Sequence, residues 1–254
     1  MARRIALALV VVGAASVPGA LLLRGQSSAR AAPEQPQRAV HKPVRRVLVP
    51  HTVRRLDPGM LLARVRPGRV VAVRSAPTGP VIARLSSTTE FGSPQTVAVV
   101  RTVAPRSLAV VTTALPNGRI GWVDARPGMF RFAHTRVLLE ADLSRRELRV
   151  HVGPRIVRRF AIGIGAPGTP TPIGRFAVTD RLNGAVYSPV YGCCILALSG
   201  HQTNLPSSWT GGDRLAIHGG SLGAVTTGCL HASEADLRYL MRLVPLGAQV
   251  VIHP

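Results

Sequence analysis

Short apolar segments separated by turn signals run through residues 67–130 and predict a small all-β module. Residues 70–73 form one such segment. Asn117-Gly118, a pair that strongly favours a hairpin turn, comes shortly before another at residues 121–123. Short strands with turns at this spacing predict a compact barrel.

The second half of the chain shows the same kind of pattern. Residues 148–152 alternate between apolar and polar side chains, as expected for a half-buried strand. Residues 214–218 are also predicted to form a strand, and this strand would end at His218. We therefore predict a second, mainly β domain over residues 135–254.

One helix is predicted near the end of the chain. Ser233 can cap its first turn, and Asp236 follows three residues later. An apolar stripe at residues 237–241 would face the core, and Pro245 would end the helix. Residues 248–252 are then predicted to form a last strand.

Residues 1–31 predict export. Arg3-Arg4 precede an apolar segment at residues 5–23, and the small residues at 29–31 fit a signal-peptide cleavage site. The segment is also long enough to stay as an uncleaved membrane anchor, so both alternatives remain open. Basic residues ahead of it predict a cytoplasmic N-terminus and an exported remainder.

Residues 32–66 are predicted to be a disordered linker, because Pro, Gln, Ala and Arg are frequent at its start and large apolar residues are few. Two short apolar patches within residues 46–65 could form a first strand. No sequence feature gives the linker a chemical role of its own.

The chain is strongly basic, with a formal net charge of +21 at pH 7. Lys42 is its single lysine, so nearly all of the positive charge is Arg, in a composition that a GC-rich genome would produce. No zinc-finger, recognition-helix or RNP-like pattern is present, so nucleic acid is not an expected partner. Anionic wall polymers or a membrane surface are the partners that such a basic surface could attract.

The sequence has three cysteines, Cys193, Cys194 and Cys229. In an oxidising compartment an odd count leaves at least one free thiol. A bridge between the adjacent Cys193 and Cys194 is not expected, because neighbouring Cα atoms lie too close for ordinary disulfide geometry. We therefore expect this pair to pack as small apolar residues.

Cys229 has the sequence context of a catalytic thiol. A cysteine becomes a strong nucleophile as the thiolate, which requires a nearby base or positive charge, and His218 lies eleven residues upstream. We expect His218 to take the thiol proton and to lower the pKa of Cys229. The backbone N–H groups of Gly228 and Cys229 are the expected oxyanion donors. A zinc site built from His201, His218, Cys229 and His231 is not expected, because their spacing is not that of a structural zinc site.

The same segment resembles the active-site signature of the L,D-transpeptidases, whose catalytic domain is the YkuD type. His218-Gly219 correspond to the first element of that signature, and Thr226, Gly228, Cys229 and Leu230 correspond to the second. Thr227 and His231 differ from the residues that are common in the family.

Two further segments are similar to this domain, so that the resemblance covers roughly residues 135–254. Residues 165–178 are similar to its entry, and Tyr191-Gly192 are similar to the segment before its His-Gly pair. Residues 117–123 resemble the end of the bacterial SH3-like modules that accompany such domains.

The resemblance implies a YkuD-like β-sandwich with one C-terminal helix, preceded by an SH3-like β-barrel. It implies a cell-envelope enzyme that cross-links peptidoglycan stem peptides through a cysteine thioester, without a metal or another cofactor. Two alternatives remain: a carboxypeptidase that hydrolyses the thioester, and a catalytically weak wall-binding scaffold. The expected site residues are Cys229 and His218 for catalysis, Gly228, Thr227 and Thr226 for oxyanion and loop support, and Tyr191, Gly219 and His231 for substrate binding.

Overall fold

The computed structural model describes residues 59–103 and 106–254. The expected signal peptide or anchor at residues 1–31 lies outside this part of the chain, and so does the linker up to residue 58. Within the described ranges, no helix is long and apolar enough to cross a membrane.

The first seven strands form one sheet, and every pairing in it is antiparallel. They are β1 (Met60–Val65), β2 (Val71–Arg74), β3 (Val81–Leu85), β4 (Thr96–Val103), β5 (Ser107–Val111), β6 (Gly121–Asp124) and β7 (Phe130–Thr135). Their order in the sheet is β3-β2-β6-β5-β4-β1-β7. The predicted hairpin at Asn117-Gly118 is confirmed, since β5 and β6 pair on either side of it.

The predicted linker, residues 32–66, is wrong at its end. Residues 60–65 form β1, which pairs with both β4 and β7. Leu62, Ala63 and Val65 are buried, so this segment contributes to the core of the first sheet. A first strand, which the two apolar patches within residues 46–65 suggested, is therefore present. The SH3-like nature of the sheet stays a prediction.

Eight strands of the second half form another sheet, in the order β10-β9-β8-β17-β12-β13-β14-β16. They are β8 (Val137–Asp142), β9 (Glu147–Val152), β10 (Arg155–Ala161), β12 (Gly174–Asn183), β13 (Cys194–His201), β14 (Arg214–His218), β16 (Leu230–His231) and β17 (Gln249–His253). A parallel pair, β11 (Ile164–Gly165) with β15 (Ala224–Thr226), stands apart from it. The described chain is therefore mainly β, as predicted.

The predicted helix near the end of the chain is confirmed as α2 (Glu234–Leu243). The Ser233 hydroxyl accepts a hydrogen bond from the Asp236 N–H at 3.2 Å, which satisfies one of the unpaired donors of the first turn. Leu237 and Leu240 are fully buried and pack into the core of the second sheet. The short α1 (Gly184–Tyr187) and a 3₁₀ turn (Pro189–Tyr191) lie between β12 and β13.

The first sheet packs directly on the second. Asn117, in the turn between β5 and β6, makes two hydrogen bonds to the backbone of His201: its Nδ2 donates to the carbonyl oxygen at 2.6 Å, and its Oδ1 accepts from the N–H at 2.8 Å. Ala98 and Val111 of the first sheet form a small apolar cluster with Ala177 of β12. The module is thus fixed against the end of β13.

The expectation for the adjacent cysteines was wrong, because Cys193 and Cys194 are joined by a disulfide. The bridge lies between the 3₁₀ turn and the start of β13. Glu234 anchors the segment, since its Oε1 accepts a hydrogen bond from the Cys193 N–H at 3.0 Å. Cys229 is the one free cysteine of the chain, all three cysteines lying in its described part.

Candidate active site

His218 is the last residue of β14, as the apolar pattern predicted. Its neighbours Leu215 and Ile217 are fully buried in the core. Since side chains alternate across a strand, Ala216 and His218 share the opposite face. On the far side of β14, the parallel β16 brings His231 level with His218. The sheet therefore presents His218, His231 and the residue before β16, Cys229, along one edge.

The ring of His218 is buried and held by two neighbours. Its Nδ1 lies 2.7 Å from the Gly219 carbonyl oxygen, so Nδ1 carries the proton and Nε2 keeps its lone pair. The Tyr191 ring packs edge-on at a centroid distance of 4.7 Å. Tyr191 and Gly219 are also joined through their backbones, since the Gly219 N–H donates to the Tyr191 carbonyl at 2.9 Å. These contacts fix the orientation of the imidazole and its tautomer.

Burial lowers the pKa of His218 to about 4, because the charged ring would lose its hydration. The hydrogen bond to Gly219 acts in the opposite direction, and the neighbouring His231 lowers the pKa further. At neutral pH the imidazole is therefore uncharged, the form that can accept a proton.

The thiol of Cys229 makes no hydrogen bond to His218. Its Sγ lies 3.9 Å from the carbonyl oxygen of Arg214, and no hydrogen bond joins it to the imidazole in the described part of the chain. Burial raises the pKa of Cys229 to about 11, against a smaller opposite effect of the Ala216 backbone. The expected lowering of this pKa by His218 is therefore wrong. Although both side chains share one edge of the sheet, the thiol turns toward the β14 backbone.

The loop before Cys229 is held by the Thr226 hydroxyl. This hydroxyl donates to the Cys229 carbonyl at 2.7 Å and accepts from the Gly228 N–H at 2.9 Å. One of the two expected oxyanion donors is thus already used inside the loop. The Cys229 N–H has no hydrogen-bond partner among the described residues. It is the member of the expected pair that remains available to a ligand.

Gly228 is required by both backbone and space. Its φ is +114°, a conformation that L side chains rarely adopt. A Cβ at this position would overlap the side-chain amide of Gln202. The preference for glycine before the cysteine therefore has two independent physical causes here.

Gln202 is a site residue that sequence reasoning missed. Its side chain is buried, and its Nε2 donates to the carbonyl oxygens of Thr227 at 2.9 Å and Pro170 at 3.0 Å. Its Oε1 accepts from the Asn204 N–H at 2.9 Å. A single glutamine at the end of a strand has no sequence signature, and only the folded chain brings it beneath Gly228.

His231 stands beside His218, with ring centroids 4.6 Å apart. Its Nδ1 lies 3.0 Å from the Ser221 carbonyl oxygen, so its Nε2 also keeps a lone pair. Burial lowers its pKa, against the opposite effect of the bond to Ser221. Two neutral imidazoles therefore adjoin the cysteine segment.

The first sheet contacts the strand that carries His218. Arg214, at the start of β14, is paired with Glu90 and stacks over the ring of Phe91 at 5.6 Å. Thr89 is hydrogen-bonded to the buried Asp180. The Arg214 carbonyl is also the hydrogen-bond acceptor of the Cys229 thiol. Arg214 therefore contacts both the first-sheet module and the cysteine.

The arrangement can perform acyl transfer if the thiol rotates toward a neutral imidazole. It provides a nucleophile, one or two bases and a free backbone donor within one stretch of the sheet edge. Among the described residues, no group of three His, Cys, Asp or Glu side chains is arranged to hold a metal. The roles of the individual residues, and the expectation that no cofactor is needed, stay predictions.

Comparison with known proteins shows which family this half of the chain is similar to. Residues 136–252 match the family model of the YkuD L,D-transpeptidase catalytic domain. A YkuD protein of Bacillus licheniformis, whose own assignment as an L,D-transpeptidase is provisional, is 30% identical over 122 residues. That similarity covers 46% of this chain and 65% of the relative's length. The second half of the chain is thus similar to the YkuD-type L,D-transpeptidase catalytic domain, and the chain spans less than two thirds of the length of the curated relative that it matches.

Solved structures of the same class are similar at low identity. An L,D-transpeptidase from Mycobacterium smegmatis is 15% identical, with a TM-score of 0.41 over 76% of this chain and 99% of that one. L,D-transpeptidase 1 of Mycobacterium tuberculosis is 16% identical, with a TM-score of 0.36 over 53% of this chain and 77% of that one.

Proposed function

We propose that the chain is an L,D-transpeptidase that cross-links peptidoglycan stem peptides through a thioester on Cys229. The observation that carries the proposal is the family match over residues 136–252, within which Cys229 and His218 lie on one edge of the second sheet. Neutral His218, with a lone pair on Nε2, is suited to act as a base rather than as a fixed cation.

In the first half-reaction, the Cys229 sulfur attacks the carbonyl carbon at the L-centre of the third residue of a donor tetrapeptide. The thiol proton passes to Nε2 of His218 as the S–C bond forms. The C–N bond to the terminal D-alanine then breaks, and the proton leaves with its amine. The Cys229 N–H, which has no partner in the described chain, is the donor proposed for the oxyanion.

In the second half-reaction, an amine of another stem attacks the thioester carbonyl. His218 takes the amine proton and returns it to the leaving sulfur, which restores the thiol. Tyr191, Gly219 and His231 surround the base and are the proposed substrate contacts. Thr226 and Thr227 hold the loop through which Cys229 meets the substrate.

The proposed setting is the cell envelope, outside the cytoplasmic membrane. The support is the basic and apolar start of the sequence, which has the order of an export signal or anchor. The first sheet is proposed to be an SH3-like module. Its contacts with β13 and β14 favour a part in positioning the catalytic half over an inert spacer.

The direct test is incubation of purified protein with a disaccharide-tetrapeptide, with products read by mass. A cross-linked dimer with loss of D-alanine supports the proposal, whereas a tripeptide alone identifies the carboxypeptidase alternative. Cys229→Ala should abolish both products, while Ser208→Ala, on an exposed loop, should leave them unchanged. A carbapenem should give one adduct, on Cys229. Turnover by Cys229→Ala within about tenfold of wild type would contradict a covalent mechanism.

One observation favours the catalytically weak scaffold as a second candidate. Cys229 is half-buried, desolvation raises the pKa of its thiol, and no hydrogen bond joins the thiol to His218 among the described residues. A scaffold predicts wall binding without turnover, and the same binding by Cys229→Ala. An enzyme predicts thioester formation with the donor tetrapeptide, which the intact mass of the protein would reveal.

A further inference from the structure

A groove with a volume of about 400 Å³ opens where the first sheet meets the C-terminal end of α2. Four arginines line it, together with apolar side chains such as Leu62 and Leu246. They are Arg64 of β1, Arg131 of β7, Arg181 of β12 and Arg242 of α2. None of the candidate active-site residues lines this groove.

Two of these arginines lie directly opposite one another. Arg64 and Arg131 are cross-strand partners in the antiparallel pair of β1 and β7. Like charges directly opposite in a sheet destabilise it. Any anion bound between them would convert this repulsion into two favourable contacts.

Nothing acidic balances the groove. No carboxylate is among its lining residues, and none of the four arginines has an ion pair with another side chain of the described chain. Arg181 is held in place by helix α2, since its Nη1 donates to the carbonyl oxygens of Met241 at 2.9 Å and Val244 at 3.3 Å. These bonds also satisfy the carbonyls that would otherwise repel an anion at this end of the helix.

We propose that this groove binds the phosphate or carboxylate groups of a linear anionic polymer. Guanidinium groups present paired N–H donors that match both oxyanions, and the apolar part of the lining suits the carbon backbone between them. A narrow polymer chain can enter a concave groove, whereas a flat membrane surface would contact only the rim of the groove. The inference goes beyond the proposed catalytic function, because it assigns a second binding site at the junction of the two sheets.

Binding of poly(glycerol phosphate) and of poly-L-glutamate at low salt tests the proposal. The double variant Arg64→Gln/Arg131→Gln should bind at least about tenfold more weakly than wild type. The matched control is Arg119→Gln/Arg155→Gln, which removes the same charge from exposed sites outside the groove and should bind within about twofold of wild type. Equal weakening by both variants would assign the binding to net charge and overturn the proposal.

Thermal melting provides a second readout that does not depend on enzymatic activity. Without polymer, the groove variant should melt roughly 1–3 °C higher than wild type, since the like-charge pair is gone. Polymer at about 100 times its dissociation constant should raise the melting temperature of wild type by roughly 5 °C, and that of the groove variant by less. Binding to phosphatidylglycerol vesicles without binding to either polymer would replace the proposed occupant with a membrane and refute the assignment. Inorganic phosphate as effective as the polymers would also refute it.

Discussion

Replacing Gln202 by Met should disable the cysteine loop without emptying the space beneath it. Methionine keeps the length and most of the volume of glutamine but donates no hydrogen bond. The carbonyls of Thr227 and Pro170 would each lose the Nε2 donor. A carbonyl left without its partner costs about 1–3 kcal/mol where it is buried, so the present loop conformation should lose about 3 kcal/mol.

That loss predicts opposite changes in two measurements. If turnover requires this loop conformation, kcat for the tetrapeptide should fall about 100-fold, since each 1.4 kcal/mol is a factor of ten. The rate of Cys229 alkylation by iodoacetamide should rise, because a released loop fully exposes a thiol that is now half-buried. The alkylation measurement needs no transpeptidase activity, and Cys229 is the single free thiol to follow.

Asn204→Ala is the matched control. Asn204 lies two residues further along, and it reaches Gln202 through its backbone N–H, which the substitution keeps. Both rates should stay within about twofold of wild type. Wild-type turnover and alkylation in Gln202→Met would refute the reasoning, since they would mean that the hydrogen bonds of Gln202 do not hold the loop.

Four further predictions concern the loop, its thiol and the neighbouring bases. Gly228→Ala should lower kcat at least about 100-fold, because it strains a positive φ and displaces the neighbouring amide, while Gly168→Ala, at a position with open space, should be neutral in the same assay. The rate of Cys229 alkylation should keep rising with pH well beyond the neutral range. With a pKa of about 11 for Cys229 against about 8.5 for a free cysteine, the rate at pH 7.5 should be about 300 times lower than that of a free cysteine. A plateau in the rate below pH 9 would contradict this prediction. His218→Ala should abolish turnover yet leave that pH profile nearly unchanged, and equal loss in His231→Ala would make both imidazoles necessary. The pKa of His218 is lower in the folded protein than its unfolded value of about 6.5, so the free energy of unfolding should fall as the pH drops from 6.5 toward 4. Urea titrations should show that this fall is up to about 3 kcal/mol larger in wild type than in His218→Gln.

Local sequence signals were sufficient wherever one short segment decides the structure. Ser233 and the apolar stripe after it define α2, because capping and helical periodicity act within a few residues. Asn117-Gly118 defines the hairpin between β5 and β6 for the same reason. The strand that ends at His218 follows from its continuous apolar residues.

Features that depend on distant segments escaped the sequence. Gln202 becomes a loop anchor only because β13 ends beneath Gly228. The Cys193–Cys194 bridge is a local feature that was also missed, because adjacent Cα atoms lie too close for ordinary disulfide geometry.

The chemistry of the site divides in the same way. The sequence alone places His218 and Cys229 in one segment and predicts a thiol acyl-transfer site there, because that prediction rests on residue type and spacing. Three features were decided by the tertiary structure. Burial raises the pKa of the Cys229 thiol, the Gly228 N–H donates a hydrogen bond within the loop, and Arg64 pairs across the strands with Arg131. Desolvation and strand register depend on which distant segments surround a group, and the bond from Gly228 to Thr226 depends on a loop conformation that residue types alone do not specify.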